Sequence, residues 1–172
     1  MAGPSVSIFA SFEDPVPSWR TLLEPYASHW SDTGSCSVSD TTKIGGEYLG
    51  EPCPFVGSID AYEISRTEYP DEVFMRDSIM AKLGVKITHE IIVAAMCNQA
   101  QDHAILCIVA ADIAENLNGY IDFDCLEAGA DADIPGLERC EWTFDGSEDW
   151  TLIGTPTAAR QWLSHPAFHM LK

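Results

Sequence analysis

The sequence predicts an α+β fold: one compact domain over residues 1–172, with a mostly antiparallel or mixed sheet and three to four helices. Three observations support this. The 172 residues suit one domain. Hydrophobic residues at 46% and aromatics at 10% are enough for a core and too many for a disordered acidic tail. Strand-like and helix-like stretches mix without a strict βαβ repeat, which favours α+β over a doubly wound sheet. No internal repeat and no low-complexity linker divides the chain.

Ser5 to Phe12 alternates as a strand, with Val6, Ile8 and Ala10 on one face. Pro15 and Pro17 break it. Ser18 then caps a short helix, Trp19 to Leu23, which Pro25 ends or kinks, with Tyr26 to Trp30 as its extension. Asp32 to Glu51 is polar and Gly-containing, a loop or a short hairpin through Cys36 and Val38. Phe55 to Ile64 alternates as a strand. Tyr69-Pro70-Asp71 opens a helix that Gly84 closes, with Val73, Phe74, Ile79, Met80 and Leu83 near helical spacing.

The second half has the best-defined unit, a strand, a helix and a strand. Val85 to Cys97 is a β-rich run suited to a central strand. Asn98 followed by Gln101 matches a capping box, and a helix from Gln99 to Leu117 carries Leu106, Val109, Ala110, Ile113 and Leu117 on one face. Gly119 stops it, and Tyr120 to Phe123 resumes as a strand. Cys140 to Phe144 and Trp150 to Ile153 are further short strands. Thr155 caps a last helix with Pro156 at its first position, and Pro166 stops or kinks it.

Met1 to Phe12 has neither a basic start nor a long apolar run, so it does not read as a signal peptide. Ile91–Cys97 and Leu106–Ala111 are too short to span a bilayer, which takes about 20 residues. A cytoplasmic location is expected. Six cysteines, widely spaced and without a Cys-x-x-Cys pair, read as free thiols in a reducing compartment rather than a disulfide framework or zinc ribbon. Cys97 and Cys107, inside apolar runs, read as buried small hydrophobes.

Against 27 Asp+Glu stand 9 Lys+Arg, a formal charge of −18. That sign opposes binding a phosphate backbone or an anionic membrane surface. The charge is uneven. Tyr120 to Asp149 holds Asp122, Asp124, Glu127, Asp131, Asp133, Glu138, Glu141, Asp145, Glu148 and Asp149 against the single base Arg139, so 30 residues carry −9. Trp142 and Trp150 lie in or beside this stretch. Acids among aromatics suit a surface that captures a basic protein: the field speeds encounter and the rings supply burial. The same composition also serves a solvated face that only confers solubility.

Asp122-Phe-Asp124 and Asp131-Ala-Asp133 have the spacing of cation ligands. A calcium loop begun at Asp131 needs Glu at its twelfth position, where Trp142 stands. No metal or other cofactor is therefore expected. His165 and His169 are four apart, as zinc ligands on a helix are, but Pro166 lies between them and no third ligand is evident. Asp102-His103 at a helix start resembles an acid–base pair, while Asp there also favours the helix dipole. The chain has no Gly-x-Ser-x-Gly elbow, no Walker loop and no Gly-x-Gly-x-x-Gly fingerprint.

Three passages carry a resemblance: Gln101-Asp102-His103, Asn118-Gly119-Tyr120-Ile121-Asp122-Phe123, and the ending Gln161 to Lys172. Together they resemble a family of small, uncharacterised bacterial proteins associated with polymorphic-toxin immunity, mainly over residues 85–172. The resemblance implies a cytoplasmic protein that binds and neutralises a cognate toxin, and it carries over no catalytic residue. The function expected is that of an antitoxin-like immunity protein whose acidic surface occludes the active site of a basic toxin. Its partner-binding residues would be the ten acids of residues 120–149 and Trp142. The alternatives are a small hydrolase-like enzyme using His103 or His165/His169, and a small-molecule or scaffold-binding module.

Overall fold

Among the described residues, eight strands form one sheet in the order β2-β3-β4-β5-β1-β6-β8-β7, and every neighbouring pair is antiparallel. The computed structural model describes residues 3–13, 15–38, 53–61, 69–124 and 134–170. Its elements are β1 (Ser5–Ala10), α1 (Trp19–Leu23), β2 (Ala27–Trp30), β3 (Cys36–Val38), β4 (Cys53–Ala61), α2 (Pro70–Leu83), β5 (His89–Ala95), α3 (Ala100–Asn116), β6 (Tyr120–Asp122), β7 (Leu137–Phe144), β8 (Ser147–Gly154) and α4 (Pro156–Leu163). The expected α+β class holds, with an antiparallel sheet and four helices among the described residues.

The alternation of side chains sends every second residue of each strand to one face. Val6 and Ile8 of β1, Ile91 and Val93 of β5, Ile121 of β6 and Leu152 of β8 are buried against α3 and α4. Phe9, Cys140 and Ile153 turn to the opposite face, where Ile79 of α2 and Ile87 close over them. Helix α3 is buried on nearly every side, from Ile105 through Ala111, because α4 covers the flank that the sheet leaves open. The single apolar stripe expected from the sequence is too narrow a description. At the centre of this layer Trp162 is fully buried and its Nε1–H donates to the carbonyl of His169 at 2.9 Å.

The caps follow the sequence where side chains act locally. Ser18 and Thr155 accept backbone N–H groups at the starts of α1 and α4, and Gly84 ends α2 in the left-handed conformation. Three expectations move. Tyr26–Trp30 does not extend α1: Ala27–Trp30 pairs with Cys36–Val38 as a hairpin, so tertiary pairing overrides helix continuation. The strand after α2 begins at His89 rather than Val85, since Val85 and Ile87 pack beneath α2 before pairing starts. The cap of α3 is Gln99, one residue later than expected, and its N–H donates to the buried carboxylate of Asp102 at 2.6 Å.

The last part of Asp32–Glu51, residues 39–51, and residues 62–64 of the expected Phe55–Ile64 strand lie outside the described residues. Among the described cysteines, Cys36, Cys97, Cys107 and Cys140 are free thiols. Cys107 is buried as expected and donates to the carbonyl of Ala159 at 3.2 Å. Cys97 is exposed, because the chain leaves the sheet after Ala95. No helix among the described residues is long and apolar enough to cross a membrane.

Candidate functional site

The acidic segment folds largely as one hairpin at the end of the sheet. Asp145 and Gly146 form its two-residue turn, both at positive φ (48° and 77°), the backbone that a tight right-twisted hairpin requires. This fixes the register: Phe144 faces Ser147, Trp142 faces Asp149 and Glu141 faces Trp150.

Alternation then divides the predicted residues between two faces. Glu138, Trp142 and Phe144 share the side of Cys140, towards α2. Lys82 of α2 pairs with Glu138 at 3.4 Å, and Phe74 of α2 meets the Phe144 ring at 5.6 Å. Glu141 and Glu148 occupy the opposite side with Arg139 and Trp150. There the Arg139 guanidinium lies 4.1 Å from the centre of the Trp150 ring, and its Nε donates to Glu141 at 2.7 Å. Beside this stack is a concavity of about 340 Å³, walled by Arg139, Glu141, Trp142, Glu148, Asp149 and Trp150. Glu138, Glu141, Asp145, Glu148 and Asp149 are all exposed, whereas Trp142 is half-buried.

Asp122 stands apart from this group. Its Oδ1 accepts the hydroxyl of buried Thr151 at 2.6 Å and the N–H of Asp124 at 2.8 Å, which holds Asp124 in a left-handed turn (φ 49°). Burial pushes the Asp122 carboxyl up to about 6; the two hydrogen bonds lower it, and the charges of Asp124 and Glu90 raise it again. Glu90, on the other side of β1, accepts Ser7 Oγ at 2.6 Å and the guanidinium of Arg76 at 2.8 Å. The paired charges Arg76 and Glu90 thus lie between the sheet and α2. Sequence reading missed this group, because its members are spread over β1, α2, β5, β6 and β8. Glu127, Asp131 and Asp133 lie outside the described residues.

A family model matches residues 2–172. The chain belongs to DUF6368, a family of unknown function. No curated protein and no solved structure matches the chain.

In this DUF6368 member, the histidines singled out by sequence hold the C-terminal segment in place. His103 Nδ1 accepts the N–H of Met170 at 2.8 Å, and Nε2 faces Asn98 Oδ1 at 3.0 Å, so Nε2 carries the proton. His165 stacks on Trp162 with centroids 5.0 Å apart and accepts the N–H of Ala167 at 3.2 Å. His169 meets the edge of the same indole at 5.9 Å. Both histidines lie beyond the end of α4, so they share no helix face. Among the described residues, no three His, Cys, Asp or Glu side chains converge as a metal site.

Proposed function

We propose that this protein is an antitoxin-like immunity protein of the cytoplasm, which binds a cognate bacterial toxin and occludes its active site with the acidic hairpin β7–β8. The observation that carries this reading is the exposure of five carboxylates around a hairpin whose face turned away from α2 offers the half-buried Trp150 beside a concavity. An exposed field of one sign steers a basic partner, and an aromatic anchor holds it once docked. The exposed carboxylates Glu148 and Asp149 line the same concavity, so charge and apolar area act on the same patch. The resemblance to immunity-associated proteins supports the reading from the sequence side. The engagement of His103, His165 and His169 in C-terminal packing gives the hydrolase alternative no comparable support.

Co-purification with the product of the adjacent gene tests the proposal. A toxin should associate, and its association rate should fall steeply with salt. Reversing Glu138, Glu141, Glu148 and Asp149 to Lys should slow association by at least about tenfold at low salt. Failure to associate at low salt, or equal rates for parent and variant, would refute the assignment.

A further inference from the structure

The outer face of the hairpin already holds a guanidinium. Arg139 is the only base of residues 120–149. Its central carbon lies over the Trp150 ring, 4.1 Å from the ring centre, and its Nε is bonded to Glu141. This resident pair shows directly which chemistry the face accepts: a planar cation between an indole and a carboxylate. The neighbouring concavity extends the same lining, because Glu148 shares the face of Trp150, and Asp149 also borders it. Its walls therefore carry three carboxylates and one cation. The Arg139 side chain is about half exposed (49%), so it is held by this one stack and one ion pair rather than locked in the core.

We infer that this concavity is a seat for an arginine side chain of the partner, and that Arg139 competes for it. The inference rests on the proposed capture of a basic protein and names the group that is captured. An incoming guanidinium stacks on Trp150 and bonds Glu141 or Glu148, while Arg139 swings to solvent. Arginine suits the seat better than lysine because its planar fork stacks on an aromatic face and meets a carboxylate along two N–H bonds. An internal competitor lowers affinity for single stray cations, so stable capture then requires the additional contacts of the right partner.

The competition makes an unusual expectation: deleting the resident arginine strengthens binding. The experiment uses the full chain and an acetylated Gly-Arg-Gly-Arg-Gly peptide, with the matching citrulline peptide as a neutral isostere, followed through the Trp150 indole N–H signal in NMR titrations. The arginine peptide should shift this signal more than the four other indoles, and the citrulline peptide should not. R139Q should bind the arginine peptide about two- to fivefold tighter, the size of one exposed cation–π contact. W150F, which keeps a ring for packing and is titrated by calorimetry beside the parent because it lacks the reporter, should bind it more weakly than the parent by a similar factor. Equal response to the two peptides, uniform shifts over all indoles, or unchanged affinity in R139Q would overturn the inference. A toxin that binds the parent and R139Q equally would remove the seat and leave the immunity reading standing. A working peptide seat with no toxin partner would do the reverse.

Discussion

Replacing Asp122 by Asn should stabilise the protein at neutral pH, although it deletes a charged hydrogen-bond acceptor. The carboxyl titrates near 6 in the fold against 3.8 in an unfolded chain. Its native pKa is raised, so the folded state binds this proton more tightly than the unfolded state does. The group is neutral in both states only below about pH 3. As pH rises through about 6 the native protein loses stability, because ionisation costs more in the fold than in water. A shift of about two units corresponds to about 3 kcal/mol at pH 7, and partial exposure of the carboxyl lowers this towards 2. Asn keeps an amide oxygen for Thr151 and the Asp124 N–H, the two donors observed at 2.6 and 2.8 Å. It also removes the repulsion from Glu90 and Asp124. D122N should therefore exceed the parent by about 1–2 kcal/mol at pH 7.5 and match or fall below it near pH 4. Urea unfolding at four pH values measures this, and the difference between the two proteins cancels the self-repulsion of the remaining charge. Parallel stability curves, or a D122N protein weaker than the parent at pH 7.5, would refute the account of Asp122.

H103A should cost about 1–2 kcal/mol and speed amide exchange at Met170, since it removes the acceptor that pins the C-terminal segment to α3. Unchanged exchange there would show that Trp162 alone holds the segment. G146A should cost about 1 kcal/mol by thermal unfolding, because the residue sits at φ 77° with open space around a Cβ. G57A should cost more than that, since a Cβ would fall 2.3 Å from the carbonyl of Ile92 and 2.4 Å from the Trp19 ring. In iodoacetamide labelling of the native protein, exposed Cys97 should react well before Cys36 and Cys107, whose thiols burial pushes up to about 11 and about 12.

What was legible in the sequence was whatever local chemistry decides. Ser18, Thr155 with Pro156, and Gly84 each mark a helix end that the structure keeps. The Asp145-Gly146 pair also encodes the hairpin register, because with these two in the turn Glu141 must oppose Trp150, but the expected strands Cys140–Phe144 and Trp150–Ile153 do not use it. Reading the acids by count rather than by register grouped Glu138 with Glu141, which alternation sends to opposite faces. Asp122 was read as surface, but its neighbours Glu90 and Thr151 arrive from distant strands, and only the strand order β5-β1-β6-β8 brings them near. The loss of Ala27–Trp30 from α1 has a nearer origin. Its partner Cys36–Val38 returns just after the turn that follows Trp30, and pairing within this hairpin, not continuation of the helix, decides its conformation.

The way α2 meets β7 determines how the hairpin can be recognised. An end strand normally offers main-chain groups to an added strand. Here β7 is the last strand of the sheet, yet Phe74, Ser78 and Lys82, successive residues of one helical stripe, meet Phe144, Glu141 and Glu138 along its length. The Ser78 hydroxyl donates to the carbonyl of Glu141 at 2.6 Å, so an acceptor that an added strand would need is already taken. The exposed like charges of Glu138 and Glu141 also oppose pairing between two copies of β7. On the proposed reading, recognition through this end of the sheet would fall to side chains on the face turned away from α2, where Arg139, Glu141 and Trp150 stand. The helix that guards the edge would thereby direct a docking partner to the side that carries the cation stack.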